Sequence, residues 1–138
     1  MSNNSLIYTP DGDGSLALQA DAFVEAALSR WPGAQVVRTT ADLDDPVDVT
    51  VRAADLEDTH RFQIFHARAL DTVWTDGDES QVLRLALWVR SVVPVETGKR
   101  VVLLDPVTWI AVVVKPGMTK AAIREAWNGE PPMPAEDA

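Results

Sequence analysis

The sequence predicts a single α+β domain in which helices pack on a mostly antiparallel sheet, as a two-layer sandwich. Three observations predict it: stretches with apolar residues at helical spacing, short stretches of alternating or continuous apolar residues, and turn signals between neighbouring strands. At 138 residues the chain is long enough for one core and short for two. Because it has no cysteine, that core contains neither a disulfide nor a thiolate metal site.

The first half of the chain predicts a strand, a helix and a series of further strands. A short strand at 6–8 comes first. Ser15 or Asp13 then caps a helix whose apolar stripe recurs every three or four residues, at Leu16, Ala20, Phe23, Ala27 and Trp31. Pro32-Gly33 ends this helix. Strands are expected at 34–39, 47–52 and 59–67, and the meander extends to 72–74.

The second helix is expected at 81–93. Asp78 and Gln81 have the spacing of a capping box at its start. Its residues are apolar around nearly the whole circumference, as is typical of a helix surrounded by other elements. We therefore expect this helix to lie in the middle of the domain.

Residues 101–104 and 109–114 predict a hairpin, because Asp105-Pro106 between them favours a type I turn. Both faces of these two strands are apolar, so either helices cover both faces or a second copy of the chain covers one. A homodimer is therefore an alternative. Thr119 caps a short last helix that ends at Asn128-Gly129.

Residues 1–129 are expected to form the domain, and the proline-rich residues 130–138 a disordered tail. Residues 1–10 lack both the basic and the apolar region of a signal peptide. The longest apolar runs are far shorter than the roughly 18 residues that a membrane span needs. We therefore expect a cytoplasmic protein.

The formal charge of −9 is concentrated in residues 41–79, which hold 11 acids against 3 bases. Residues 80–138 hold 6 acids and 7 bases. A negative surface argues against nucleic acids, whose phosphates require basic side chains, and against anionic membranes. It favours a basic protein partner, although a solvated surface that promotes solubility explains the same charge.

The candidate partner-binding carboxylates come from the densest acidic run, and they are Asp42, Asp44, Asp45, Asp55, Glu57 and Asp58. Trp74 and Trp88 are the candidate aromatic anchors. Trp88 falls on the polar stripe of the second helix together with Gln81, Arg84 and Ser91. The stripe suits an exposed contact position for Trp88, and the alternative is that another element of the fold covers it.

Motifs for catalysis or cofactor binding are weak. Gly12-x-Gly14-x-x-Ala17 matches the dinucleotide fingerprint in its alanine variant, but Asp11 and Asp13 flank it and would repel a pyrophosphate. The same loop lacks the Gly and Glu that a calcium loop requires at its sixth and twelfth positions. His60 and His66 are about 20 Å apart on one strand, too far to share a metal. We expect no catalytic, cofactor or metal site.

No motif identifies an activity. Size and charge favour a non-enzymatic interaction module that binds a basic partner, in the manner of immunity proteins that neutralise basic toxins. This hypothesis requires the carboxylates of residues 41–79 to gather on one side of the molecule. One alternative is a small-molecule-binding or enzymatic domain whose pocket, between sheet and helices, contains His60 or His66. The homodimer is the other.

Overall fold

The computed structural model describes residues 5–54 and 61–129. Its elements follow the predicted order β-α-β-β-β-α-β-β-α with two additions, a fourth strand between the first and second helices, at Val73–Thr75, and a short 3-10 helix, Val95–Thr97, before the hairpin. The strands are β1 (Leu6–Tyr8), β2 (Gln35–Arg38), β3 (Val47–Ala54), β4 (Arg61–Ala67), β5 (Val73–Thr75), β6 (Val101–Asp105) and β7 (Ile110–Val114). The helices are α1 (Ala20–Arg30), α2 (Glu79–Val92) and α3 (Lys120–Gly129). The predicted tail at 130–138 lies outside the described residues.

The strands of the described residues form one seven-stranded sheet in the order β2-β3-β4-β5-β1-β6-β7. Every neighbouring pair is antiparallel. The first strand of the chain lies inside the sheet, since Leu6 pairs with Trp74 on β5 and with Leu104 on β6. The predicted α+β class is therefore confirmed.

All three helices pack on the same face of the sheet. The large core cluster joins side chains of α1, α2 and α3 with alternate residues of the strands, for example Val51, Ile64 and Leu103. Because alternate residues of a strand point to one face, the residues between them, such as Phe65 and Leu104, lie on the other face. We call this other face the open face. Within the described residues, the helices thus pack on one face of the β6–β7 hairpin, although Val102 and Leu104 of β6, on the open face, are buried as well.

The start of α1 differs from the prediction. Ala17 has a φ of 56°, in the left-handed region, which a right-handed helix does not contain. The predicted caps bond within a turn instead, because the Ser15 amide donates to Asp13 Oδ1 at 2.9 Å and the Ala17 amide donates to Ser15 Oγ at 3.1 Å. Leu16 enters the core from this turn, and the helix begins at Ala20. Capping residues also favour turns, and here the turn prevails.

The start of α2 is the one that the capping box predicts. Asp78 Oδ1 accepts from the Gln81 amide at 2.9 Å, and Gln81 Oε1 accepts from the Asp78 amide at 2.8 Å. The helix is buried around most of its circumference. Even Arg90 is buried, and its guanidinium donates to the carbonyl oxygens of Val93 and Lys99. α2 is therefore the central helix, as expected.

The hairpin and the last helix also form where the sequence predicts them. The Trp109 amide donates to the Asp105 carbonyl at 2.8 Å, and Trp109 has a φ of 60°. The connection between β6 and β7 therefore ends on a left-handed residue. Thr119 Oγ1 accepts from the Ala122 amide at 3.1 Å and caps α3.

Candidate functional site

A mostly apolar row of side chains crosses the open face from edge to edge. The register of the strands aligns one residue from each, namely Val37, Thr50, Phe65, Trp74, Leu6, Leu104 and Ala111. Phe65 and Trp74 stack, with ring centroids 5.5 Å apart. The middle of the open face is thus an apolar surface with a fixed aromatic pair.

Trp74 also lines a hollow of about 430 Å³ on this face. The other walls come from five residues of four separate segments: Leu6, Pro46, Ala67, Thr72 and Pro106. Apart from the Thr72 hydroxyl, the side chains around the hollow are apolar. A concave apolar surface of this size fits one aromatic or aliphatic side chain of a partner. We call it the Trp74 hollow.

The β2–β3 connection carries one half of the acidic run, and we call its residues 40–45 the acidic loop. Arg68, just after β4, holds the backbone of this loop. Its guanidinium donates to three carbonyl oxygens at 2.7, 3.2 and 3.3 Å, those of Thr39, Asp45 and Asp42. Such bonds to a charged donor are stronger than neutral ones, so the loop has a defined shape.

The held backbone turns three consecutive side chains to solvent. Asp42 and Asp44 are exposed, and Leu43 between them is 72% exposed. Asp42 Oδ1 also accepts from the Asp44 amide at 3.1 Å, which leaves the other carboxylate oxygen to solvent. Asp45 is only partly exposed, and its Oδ1 accepts from the Val47 amide at 2.9 Å at the start of β3. The acidic loop therefore presents two carboxylates and one apolar side chain.

Pro46 joins the acidic loop to the Trp74 hollow. It follows the loop directly and lines the hollow, and its carbonyl accepts from the Arg68 amide at 2.8 Å. The structure thus joins the loop that carries Asp42 and Asp44 to the wall of the Trp74 hollow through Pro46. We call the acidic loop and the Trp74 hollow together the docking surface.

Asp55, Glu57 and Asp58, the other half of the acidic run, lie outside the described residues.

Other carboxylates of residues 41–79 have local structural roles. Asp76 accepts from the amide and the side chain of Gln63, and Asp78 caps α2. Asp48 and Asp71 both contact a buried histidine. These four carboxylates therefore serve the fold, and the expectation that the acids of residues 41–79 gather on one side stays a prediction.

Trp88 lies on the opposite side of the sheet and is 8% exposed. Its ring packs edge-on against Trp31, at a centroid distance of 5.0 Å, and against Phe23, at 5.8 Å. The exposed position is wrong and the alternative is confirmed, because α1 packs on Trp88 and covers it. Trp88 therefore cannot anchor a partner together with Trp74.

His66 is fully buried on β4. Its Nδ1 lies 2.6 Å from Asp48 Oδ1, and its Nε2 lies 2.7 Å from the Leu18 carbonyl oxygen and 3.3 Å from Asp71 Oδ1. Phe23 packs on the ring, with centroids 5.0 Å apart. Both ring nitrogens of His66 are hydrogen-bonded within the protein, so neither is available to a ligand. His60 lies outside the described residues.

The glycine loop that resembles a dinucleotide fingerprint closes on another part of the chain. Asp11 accepts from the Arg100 amide at 2.7 Å and from its guanidinium at 2.8 Å, and Arg100 holds the pKa of Asp11 at about 2. Lys99 Nζ donates to Asp13 Oδ1 at 2.9 Å and lowers the pKa of that carboxyl. The loop is filled by these contacts, and α1 begins only at Ala20, so no helix N-terminus faces a phosphate there.

Sequence reasoning missed three residues of the docking surface: Leu43, Pro46 and Arg68. Leu43 had a visible signal, since it is a lone large apolar residue inside an acidic run. Arg68 had no such signal in the sequence, because the three carbonyl oxygens that it binds belong to residues 23 to 29 positions earlier. Pairings over such separations follow from the fold and not from a local pattern.

Neither a protein-family model nor a curated protein nor a solved structure matches this chain. In the described part of the chain, no helix is long and apolar enough to cross a membrane. Over the same residues, no three His, Cys, Asp or Glu side chains are arranged to hold a metal ion. The candidate site therefore stands on its own geometry.

Proposed function

We propose that this chain is a non-enzymatic docking module that binds a basic protein segment across the docking surface. The observation that carries the proposal is the position of Pro46, which continues the acidic loop into the wall of the Trp74 hollow. Charge and an apolar cavity are thereby adjacent on one surface. A partner with an apolar side chain flanked by Lys or Arg matches both parts.

The two parts of the surface contribute differently to binding. Exposed ion pairs with Asp42 and Asp44 are worth about 0.2–1 kcal/mol each. An aromatic side chain that buries ~150–250 Å² in the Trp74 hollow is worth several times more, at about 25 cal/mol per Å². The hollow therefore determines most of the affinity, and the acidic loop determines the association rate and the preference for basic partners.

A labelled peptide with Lys and Arg on both sides of one Phe tests this function, with binding followed by fluorescence anisotropy. We expect Trp74→Ala to weaken binding by at least about tenfold and Asp42→Asn/Asp44→Asn by about two- to thirtyfold. The matched control for charge is Glu25→Gln/Glu96→Gln, which removes two exposed acids elsewhere.

Trp109→Ala is the matched control for the aromatic, because Trp109 is 60% exposed on the β6–β7 connection. Both controls are expected to bind as the unchanged chain does. Equal weakening by the charge control would mean unspecific attraction to a negative protein. That result, or full binding by Trp74→Ala, contradicts the proposed function.

Self-association is a second candidate, and the composition of β7 favours it. β7 is an edge strand, and its residues are Ile110, Ala111, Val112, Val113 and Val114. Natural edge strands usually carry a charge, a proline or a bulge that prevents pairing with another chain, and β7 carries neither charge nor proline. Two copies that pair along β7 would join their sheets.

Sedimentation of the full chain over a range of concentrations tests this second candidate. A dimer is expected for the unchanged chain, and a single chain for Val113→Lys, which places a charge on the edge strand. A mass of one chain at every concentration excludes the dimer.

A further inference from the structure

A second hollow, of about 390 Å³, lies on the helical side of the molecule, away from the docking surface. Residues of all three helices line it: Arg30, Arg84, Leu87, Trp88, Ser91 and Lys120. Arg30 is the last residue of α1, and Lys120 is the first residue of α3. Packing of the helices therefore creates this hollow, and no single helix contains it.

The charge around this hollow is opposite to that of the whole protein. Three of its six lining residues are cations and none is acidic, although the chain has 21 acids against 12 bases. Cationic side chains from three different helices thus border one hollow. Cations that share a surface hollow raise the local concentration of anions there.

The apolar wall of the hollow is held in position. Trp88 packs against Trp31 and Phe23, so its ring does not need to reorganise when a ligand binds. The Arg30 guanidinium lies 5.1 Å from the centroid of the Trp31 ring, in the position of a cation–π contact. Leu87 is half-buried and adds a second apolar surface.

We propose that this hollow binds a small organic anion, a carboxylate or a phosphate ester with a flat apolar body. The head group lies among Arg30, Arg84 and Lys120, and the body lies against Leu87 and Trp88. Guanidinium groups bind carboxylate and phosphate oxygens in the same way, so the two head groups share one chemistry. This site is independent of the proposed function, because it lies on the other side of the sheet.

NMR titration of the full ¹⁵N-labelled chain with phenyl phosphate, benzoate and neutral benzyl alcohol tests the proposal. The signals to follow are the Trp88 indole N–H and the backbone amides of 84–91 and 120. We expect saturable shifts in these signals with an anion, and binding of benzyl alcohol at least about tenfold weaker. Binding of one anion and not the other supports the site and identifies its head group.

The variant Arg30→Gln/Lys120→Gln removes two of the cations. It is expected to weaken binding of the anion by about tenfold or more, as loss of hydrogen bonds to charged groups predicts. The matched control is Arg38→Gln/Lys115→Gln, whose residues are exposed on β2 and after β7. If the anion binds adventitiously to the surface, both double variants would weaken its binding equally. That result, equal binding of benzyl alcohol, or the absence of saturable shifts would overturn the proposal.

Discussion

Individual side chains in this molecule are fixed by ion pairs and hydrogen bonds between distant parts of the sequence. His66 bonds to Asp48, 18 residues earlier, and Arg100 bonds to Asp11, 89 residues earlier. The sequence identified most of these residues as polar exceptions but could not pair them. A carboxylate that helps to bind a partner and one that holds two strands look alike until the fold sets their neighbours.

Removal of the His66 ring tests the buried network. His66→Leu leaves Asp48 and Asp71 without their shared partner, and we expect a loss of about 3 kcal/mol of unfolding free energy in urea. Asp48→Asn keeps an acceptor for His66 Nδ1 and is therefore expected to lower the unfolding free energy by a smaller amount. If both variants are as stable as the unchanged chain, the network does not stabilise the fold.

The Asp11–Arg100 pair predicts a dependence of stability on acid pH. Arg100 lowers the pKa of Asp11 from 3.8 to about 2 in the folded chain. The pair therefore stabilises the fold fully above about pH 4, and this contribution disappears as pH falls through about 2. Asp11→Asn is expected to unfold more easily than the unchanged chain near pH 7 and equally near pH 2.

Thermal unfolding across this pH range measures that difference. Asp44→Asn is the control, because Asp44 makes no ion pair among the described residues. A difference between Asp11→Asn and the unchanged chain that persists undiminished at the acid end contradicts the assignment.

At the scale of the element, local sequence chemistry predicted some boundaries and not others. The start of α2 followed from Asp78 and Gln81, whose capping box needs no tertiary contact. The start of α1 did not, because Ser15 and Asp13 cap a turn as readily as a helix. β1 lies between β5 and β6 and so pairs with residues that are far away in the sequence. No local sequence pattern predicts this position.

The start of α2 gives a direct stability prediction. Asp78→Ala removes the cap and is expected to cost about 1 kcal/mol. Gly77→Ala is expected to destabilise as well, since its new Cβ would meet the Gln81 side chain, with Gln81 Cβ at 2.8 Å. Ser80→Ala, in the same turn, is the control. Urea unfolding that ranks Ser80→Ala with the other two would contradict this account.

The acidic loop gives another prediction at this scale, because one side chain holds it. Arg68→Met loses the bonds to three carbonyl oxygens of the loop and its flank. We expect faster hydrogen exchange at residues 39–47 and unchanged exchange in β4, with weaker binding of the basic peptide, since a mobile loop must be ordered on binding. Unchanged exchange at 39–47 would show that other contacts define the loop.

At the scale of the whole molecule, the sheet separates two surfaces of opposite character. The Trp74 hollow lies on the open face and is joined through Pro46 to the acidic loop, and the cationic hollow lies among the helices. The sequence predicted the excess of negative charge but not its distribution, since Asp42 and Asp44 face solvent whereas Asp78 caps α2. It also proposed both Trp74 and Trp88 as anchors, whereas the fold leaves Trp74 half-buried at the hollow and buries Trp88 among the helices.

The most direct test of the account is an NMR map of the basic peptide on the full chain. We expect the amides of 40–47 and 67–74 and the Trp74 indole to shift together, with affinity falling as ionic strength rises from about 0.01 M to about 1 M. Shifts confined to the helical side, or shifts in the acidic loop without Trp74, would contradict a single docking surface.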